Sequence, residues 1–166
     1  MIDRRRASLL ALAALPAACF APQALAQQGF QRFVPFLVDL PGWTGKKADG
    51  MAMEMGGTSM ITATRAYERG AAKLNAQIIT GPAAQGALAA TKSGIKLETS
   101  DMHMNTSTID GLSVTRTYMV SSKSGTILVG LSDSAMFNLT FTGITEDEAL
   151  TLVKKFDWKA MQGQVK

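Results

Sequence analysis

Methionine is the residue whose abundance and spacing offer chemistry in this chain. Four of the ten residues from 51 to 60 are methionine, and "MHM" at 102–104 places two more around the only histidine. A thioether sulfur is a soft ligand that suits Cu(I), and an imidazole can join such a site. The candidate ligands are Met51, Met53, Met55, Met102, His103 and Met104.

Strand geometry decides which of these ligands share a side. Side chains alternate along an extended segment, so Met51, Met53 and Met55 would point the same way. Met102 and Met104 would also share a side, and His103 would point away from them. Only a loop at 102–104 would bring the last three ligands together.

Core packing is the interpretation that we expect for the methionines, and copper is the alternative. Methionine is a flexible side chain that fills irregular cores and also lines adaptable binding surfaces. "MAMEM" at 51–55 would then be a core strand with Ala52 and Glu54 outward. A methionine-lined groove for an apolar ligand or peptide is the third interpretation. His103 lies in a polar stretch, which favours the surface.

Enzyme signatures are missing from the sequence. A hydrolytic triad needs a base, the chain has one histidine, and it contains no GxSxG motif. "GPAAQG" at 81–86 lacks the GK[ST] that grips phosphates. Glu146, Asp147 and Glu148 fall in the first turn of a predicted helix, where the helix dipole explains them. We therefore expect no enzyme and no catalytic residue.

A second candidate surface is "WTGKK" at 43–47. Trp43 beside Lys46 and Lys47 in a glycine-rich loop would suit a partner protein or an anionic head group. The alternative is a solvated loop with a buried tryptophan.

The first 26 residues are typical of a signal peptide. Arg4, Arg5 and Arg6 precede an apolar run, and "ALA" at 24–26 is a small-x-small cleavage signal. We expect export to the periplasm by the general secretory route or the twin-arginine route. The apolar run is shorter than a typical membrane span, and no second candidate span follows it.

Cleavage of the signal peptide would change the net charge and the cysteine content of the mature protein. It removes three arginines and one aspartate, so 14 basic and 12 acidic residues remain, a net charge of +2. It also removes Cys19, the only cysteine, and with it disulfides and thiolate metal sites. No block of basic residues with interleaved aromatics indicates nucleic-acid binding.

The remaining patterns predict an α+β fold, with an antiparallel sheet and two helices packed on it in a single domain. Thr145 and Glu148 form a capping box before the last helix. We expect a flexible segment at 27–34, a sandwich domain at 35–160 and a tail at 161–166. The predicted strands are 35–39, 58–69, 71–80, 112–120, 126–132 and 135–143; the first helix is 81–94, and 95–111 is ambiguous.

Three stretches resemble a known family. "FLVDLPGW", "IDGLSVTRTYMV" and "LTFTGITEDEALTLVKKFDW" are similar to the PsbP-like and DcrB-like small α/β sandwich proteins, over most of residues 34–158. The resemblance implies a non-enzymatic fold and an exported accessory role, and it brings no catalytic motif with it.

Together these features predict a periplasmic, non-catalytic accessory protein. It would act through an unidentified partner protein or a small ligand, without a cofactor. The alternative function is Cu(I) binding by the methionine-rich segment.

Overall fold

The computed structural model describes residues 29–92, 94 and 96–165. The signal peptide predicted for residues 1–26 lies outside them. Phe33 and Met161, which flank the expected domain at 35–160, are both fully buried. No helix in the described part of the chain has the length and apolar character to cross a bilayer.

Nine strands form one antiparallel sheet: β1 (Thr44–Gly45), β2 (Asp49–Met55), β3 (Thr58–Arg69), β4 (Ala72–Thr80), β5 (Lys96–Glu98), β6 (Met102–Ile109), β7 (Leu112–Met119), β8 (Ser124–Ser132) and β9 (Ala135–Thr142). Their order in the sheet is β1-β3-β4-β9-β8-β7-β6-β5, and β2 also pairs with β3. The helices are a 3-10 turn (Val34–Phe36), α1 (Pro82–Thr91), α2 (Glu146–Val153) and α3 (Trp158–Gln164).

The expected α+β sandwich with two helices is wrong. Strands make up 49% of the described residues and helices 23%, so the fold is mostly β. The segment of β1 was expected to be loop, and β5 and β6 fall in the ambiguous stretch 95–111. These strands lie at or next to the edges of the sheet. Their segments lack clear apolar alternation, because strands in such positions bury little surface. The strand expected at 35–39 is also wrong, since Pro35 falls in the first turn of the 3-10 helix.

The central hairpin forms as its alternation predicts. Ile61, Ala63 and Tyr67 on β3 are buried on the same side as Leu74 and Ile78 on β4. This side, the core face of the sheet, is covered by the N-terminal segment, α2 and α3, whose side chains share one apolar cluster with it.

The opposite side, the outer face, is covered only in part. Helix α1 packs there through Ala84 and Leu88, which form a second, smaller cluster with Met136. Gly130 on β8 allows the close approach, because a Cβ at that position would lie 3.1 Å from Leu88 Cδ2. The two ends of the outer face extend beyond this cluster.

Helix α2 begins as predicted. The Glu148 backbone N–H donates to Thr145 Oγ1 at 3.3 Å, so Thr145 is the N-cap. One side of this helix packs into the core, since Ala149, Leu152 and Val153 are buried.

Two side chains of β3 hold the N-terminal segment against the sheet. Tyr67 donates its hydroxyl to the Val38 carbonyl at 2.8 Å. Arg65 donates to the Leu37 carbonyl at 2.7 Å and to Asp39. Burial raises the pKa of Tyr67 to about 12.

Tyr67 links stability to alkaline pH. An unfolded tyrosine ionises near pH 10, whereas folded Tyr67 keeps its proton to about pH 12. The folded state therefore loses about 3 kcal/mol of stability as pH rises from 10 to 12. Ultraviolet titration should show Tyr67 ionising well above the usual range, and Tyr67→Phe should remove that phase. Loss of a phase near pH 10, rather than at high pH, on substitution of Tyr67 would contradict the prediction.

Gly125 tests how tightly the core face is packed. Its position lies between Tyr118 and Phe141, whose rings stack with centroids 6.1 Å apart. An alanine Cβ there would lie 2.3 Å from the Thr117 carbonyl oxygen. We expect Gly125→Ala to lower the free energy of unfolding by about 3 kcal/mol, as measured by urea denaturation.

The matched control is Gly86→Ala in the exposed part of α1. No atom lies within 4 Å of a Cβ at that position. Alanine should stabilise the helix by up to about 1 kcal/mol. Equal effects of the two substitutions would contradict the packing described for Gly125.

Candidate functional site

Met51, Met53 and Met55 lie on one side of β2, as the alternation predicts, but that side faces solvent. Their side chains are 53%, 41% and 72% exposed. The expectation that they fill the core is wrong. Ala52, which was expected outward, packs against the main core instead.

The register of the hairpin between β2 and β3 explains this inversion. Ala52 lies opposite Ile61, and Gly50 lies opposite Ala63, both of which are buried on the core face. Directly opposed residues share a face, so the residues between them on β2 must point outward. Because Gly50 and Ala52 lie on the core face, Met51, Met53 and Met55 lie on the opposite face and are exposed to solvent.

Met60 joins this group from the neighbouring strand, and the sequence interpretation missed it. It lies directly opposite Met53 on β3. The signal that would have found it is the pair Gly56 and Gly57, both with positive φ, which form a two-residue hairpin turn. Met51, Met53, Met55 and Met60 are called the methionine surface below.

The other predicted copper ligands lie elsewhere. Met102 and Met104 lie on the outer face of β6, and His103 lies on the core face beside Tyr118, with ring centroids 6.3 Å apart. Five strands separate β2 from β6. At about 4.8 Å between strands, the path along the sheet is about 29 Å. The six predicted ligands therefore do not form one site.

Helix α2 pairs with both halves of the sheet. Arg69 on β3 contacts Glu148 at 2.5 Å, while Arg116 on β7 contacts Glu146 at 3.3 Å. Side chains of β3 and β7 on the core face thus reach the first turn of this helix.

His103 belongs to a charged cleft of about 210 Å³ between α2 and the β5 edge of the sheet. Glu146 of α2 lines the cleft, and its carboxylate lies 3.7 Å from His103 Nδ1. Lys96, Glu98 and Asn105 also line it.

The described side chains of this cleft form charge pairs around Glu146. Its described lining includes no hydroxyl or thiol side chain. Among the described residues, no three His, Cys, Asp or Glu side chains are grouped to hold a metal ion. Glu146 is engaged by Arg116, whose side chain is only 24% exposed. The contacts of Glu146 hold α2 against the sheet.

The segment 43–47 does not present its tryptophan to solvent. Trp43 is 8% exposed, and the Arg69 guanidinium lies 4.4 Å from the centre of its ring. Lys46 contacts Glu68 at 2.7 Å, and this interaction lowers the pKa of Glu68. Lys47 is exposed. Only the lysines of the predicted partner-binding set are accessible.

Glu146→Gln tests whether the cleft is structural. The substitution removes the charge that Arg116 faces, so we expect the free energy of unfolding to fall by about 1 kcal/mol. Asp147→Asn is the control, because Asp147 is exposed in the same helical turn. Thermal unfolding of both variants measures the difference. A Glu146→Gln variant as stable as the control would show that this carboxylate does not hold the helix.

The comparisons with known proteins supply no relative. The chain matches no family model, no curated protein and no solved structure.

Proposed function

We propose that this chain is an exported, non-catalytic accessory protein that docks on a partner protein through the methionine surface. The observation that carries the proposal is the exposure of Met51, Met53 and Met55, which are 53%, 41% and 72% accessible. Adjacent apolar side chains left in water by a folded domain are typical of an interaction site. Methionine suits such a site because it adapts its shape to a partner.

The position of β2 supports the same proposal. Among the described strands, β2 pairs only with β3, so no described strand pairs with the backbone groups of its other edge. Natural edge strands are often protected by lysine or proline, and the stretch from Asp49 to Met55 contains neither. An extended segment of a partner can add to this edge and contact the methionines at its side.

Two further features support an exported accessory role. The first 26 residues have the composition of a signal peptide. In the charged cleft, His103 and Arg116 both lie beside Glu146 and hold α2, whereas Met51, Met53 and Met55 are exposed to solvent.

Site-specific photocrosslinking in cells tests the proposal. A photoreactive amino acid at Met53 should give one discrete adduct with a partner protein in the exported fraction. The same residue at Met119, which is 37% exposed at the other end of the outer face, is the matched control. Equal adducts from both positions, or none from Met53, would count against docking at this surface.

A second variant separates docking from folding. Substituting Met51 and Met55 with glutamine should abolish the Met53 adduct while changing the free energy of unfolding by less than about 0.5 kcal/mol, because both side chains are exposed. An adduct that survives this double substitution would show that the methionines do not make the contact.

A further inference from the structure

We infer that the methionine surface is a Cu(I) site. This inference rests on the proposed function, because it names what the same surface would carry to its partner. The four thioether ligands are Met51, Met53, Met55 and Met60. The set differs from the one predicted by sequence, because it gains Met60 and excludes the methionines and histidine of β6.

Cross-strand geometry brings the four sulfurs within reach of one ion. Met53 and Met60 are directly opposite each other, and such pairs have Cβ atoms about 5 Å apart. Met51 and Met55 lie two residues from Met53, about 7 Å along the strand. Methionine has three rotatable bonds in its side chain. An ion above the Met53–Met60 pair can therefore take both of these sulfurs and one or both flanking sulfurs.

The neighbouring side chains favour a soft monovalent cation. Met51 and Met55 face Thr62 and Thr58 on β3, both neutral. Neither β2 nor β3 up to Thr64 contains Lys or Arg, so no ammonium or guanidinium on these stretches repels a cation. Thioether sulfur selects Cu(I), whereas Zn²⁺ and Cu²⁺ sites use imidazole, thiolate or carboxylate ligands.

A second methionine group at the other end of the outer face provides an internal comparison. Met102 lies opposite Met119, and Met104 lies opposite Leu97, so the group offers three thioethers beside an apolar residue. Met102 and Met104 are partly buried. The methionine surface has four thioether ligands against three in this second group, and three of its four, Met51, Met53 and Met55, are exposed.

The first test measures Cu(I) binding under anaerobic conditions with ascorbate, by competition with a chromogenic chelator. Cleavage after Ala26 removes Cys19, the only cysteine of the sequence; where the full chain is used, it carries Cys19→Ser, so that no thiol takes part. We expect one Cu(I) per chain. Substituting Met51, Met53 and Met55 with leucine should remove this binding, whereas leucine at Met102, Met104 and Met119 should leave it intact.

The second test locates the ion directly. Ag(I) shares the preference for thioether ligands and is not oxidised under these conditions. In protein labelled with ¹³C at the methionine methyls, Ag(I) should shift the resonances of the methionine surface, assigned by single leucine variants. The buried Met136 and Met161 should not shift.

Two results would overturn the copper assignment. One is undiminished Cu(I) affinity after the triple substitution on β2, and the other is a shift confined to the methionines of β6 and β7. If Cu(I) binding fails but the Met53 crosslink in cells persists, only the metal inference falls. Loss of the crosslink with Cu(I) binding retained would reject docking and leave the metal site standing.

Discussion

The pairing of β4 with β9 is the constraint on which the rest of this fold depends. It joins strands about 60 residues apart in the chain, from Lys73 opposite Thr142 to Thr80 opposite Ala135. Leu74 meets Phe141, and Ile78 meets Phe137, at the centre of the core face. Without this ladder, the N-terminal hairpin and the C-terminal meander would be two separate sheets, each with an unpaired edge.

The same ladder determines which side chains meet solvent. A strand that slips by one residue exchanges its two faces. Because β4 must present Leu74, Ala76 and Ile78 to the core, β3 must present Ile61 and Ala63, and β2 in turn must present Ala52. The methionines of β2 are therefore exposed because β4, two strands away in the sheet, must bury its apolar side chains in the core.

The two chemically distinctive parts of the molecule lie on opposite faces and differ in how their groups are used. In the charged cleft, Glu146 faces Arg116 and His103 and connects α2 to the sheet. On the methionine surface, the side chains have no such structural duty, and β2 is an edge strand. Groups that already stabilise a fold are costly to redirect to a ligand. The exposed thioethers of β2 can bind a ligand without giving up an interaction that stabilises the fold.

Much of the fold followed from local patterns in the sequence. Alternation located β3, β4, β7 and β9, and a nearly continuous apolar run located β8. Pro82 marked the start of α1, and the capping residue Thr145 marked α2. These signals are local, because a strand face or a helix cap involves residues a few positions apart. The same alternation placed Met51, Met53 and Met55 on one side of an extended segment.

Only the tertiary structure decided which side that was. The choice depends on the register with β3, and through it on β4 and β9, so no pattern within residues 51–55 contains it. The strands β5 and β6 were ambiguous for a related reason. β5 is an edge strand of three residues, and β6 pairs with it over only those residues, so both are stabilised by their neighbours more than by their own composition. The separation of His103 from the methionine surface is likewise a property of strand order, which a linear spacing of residues does not encode.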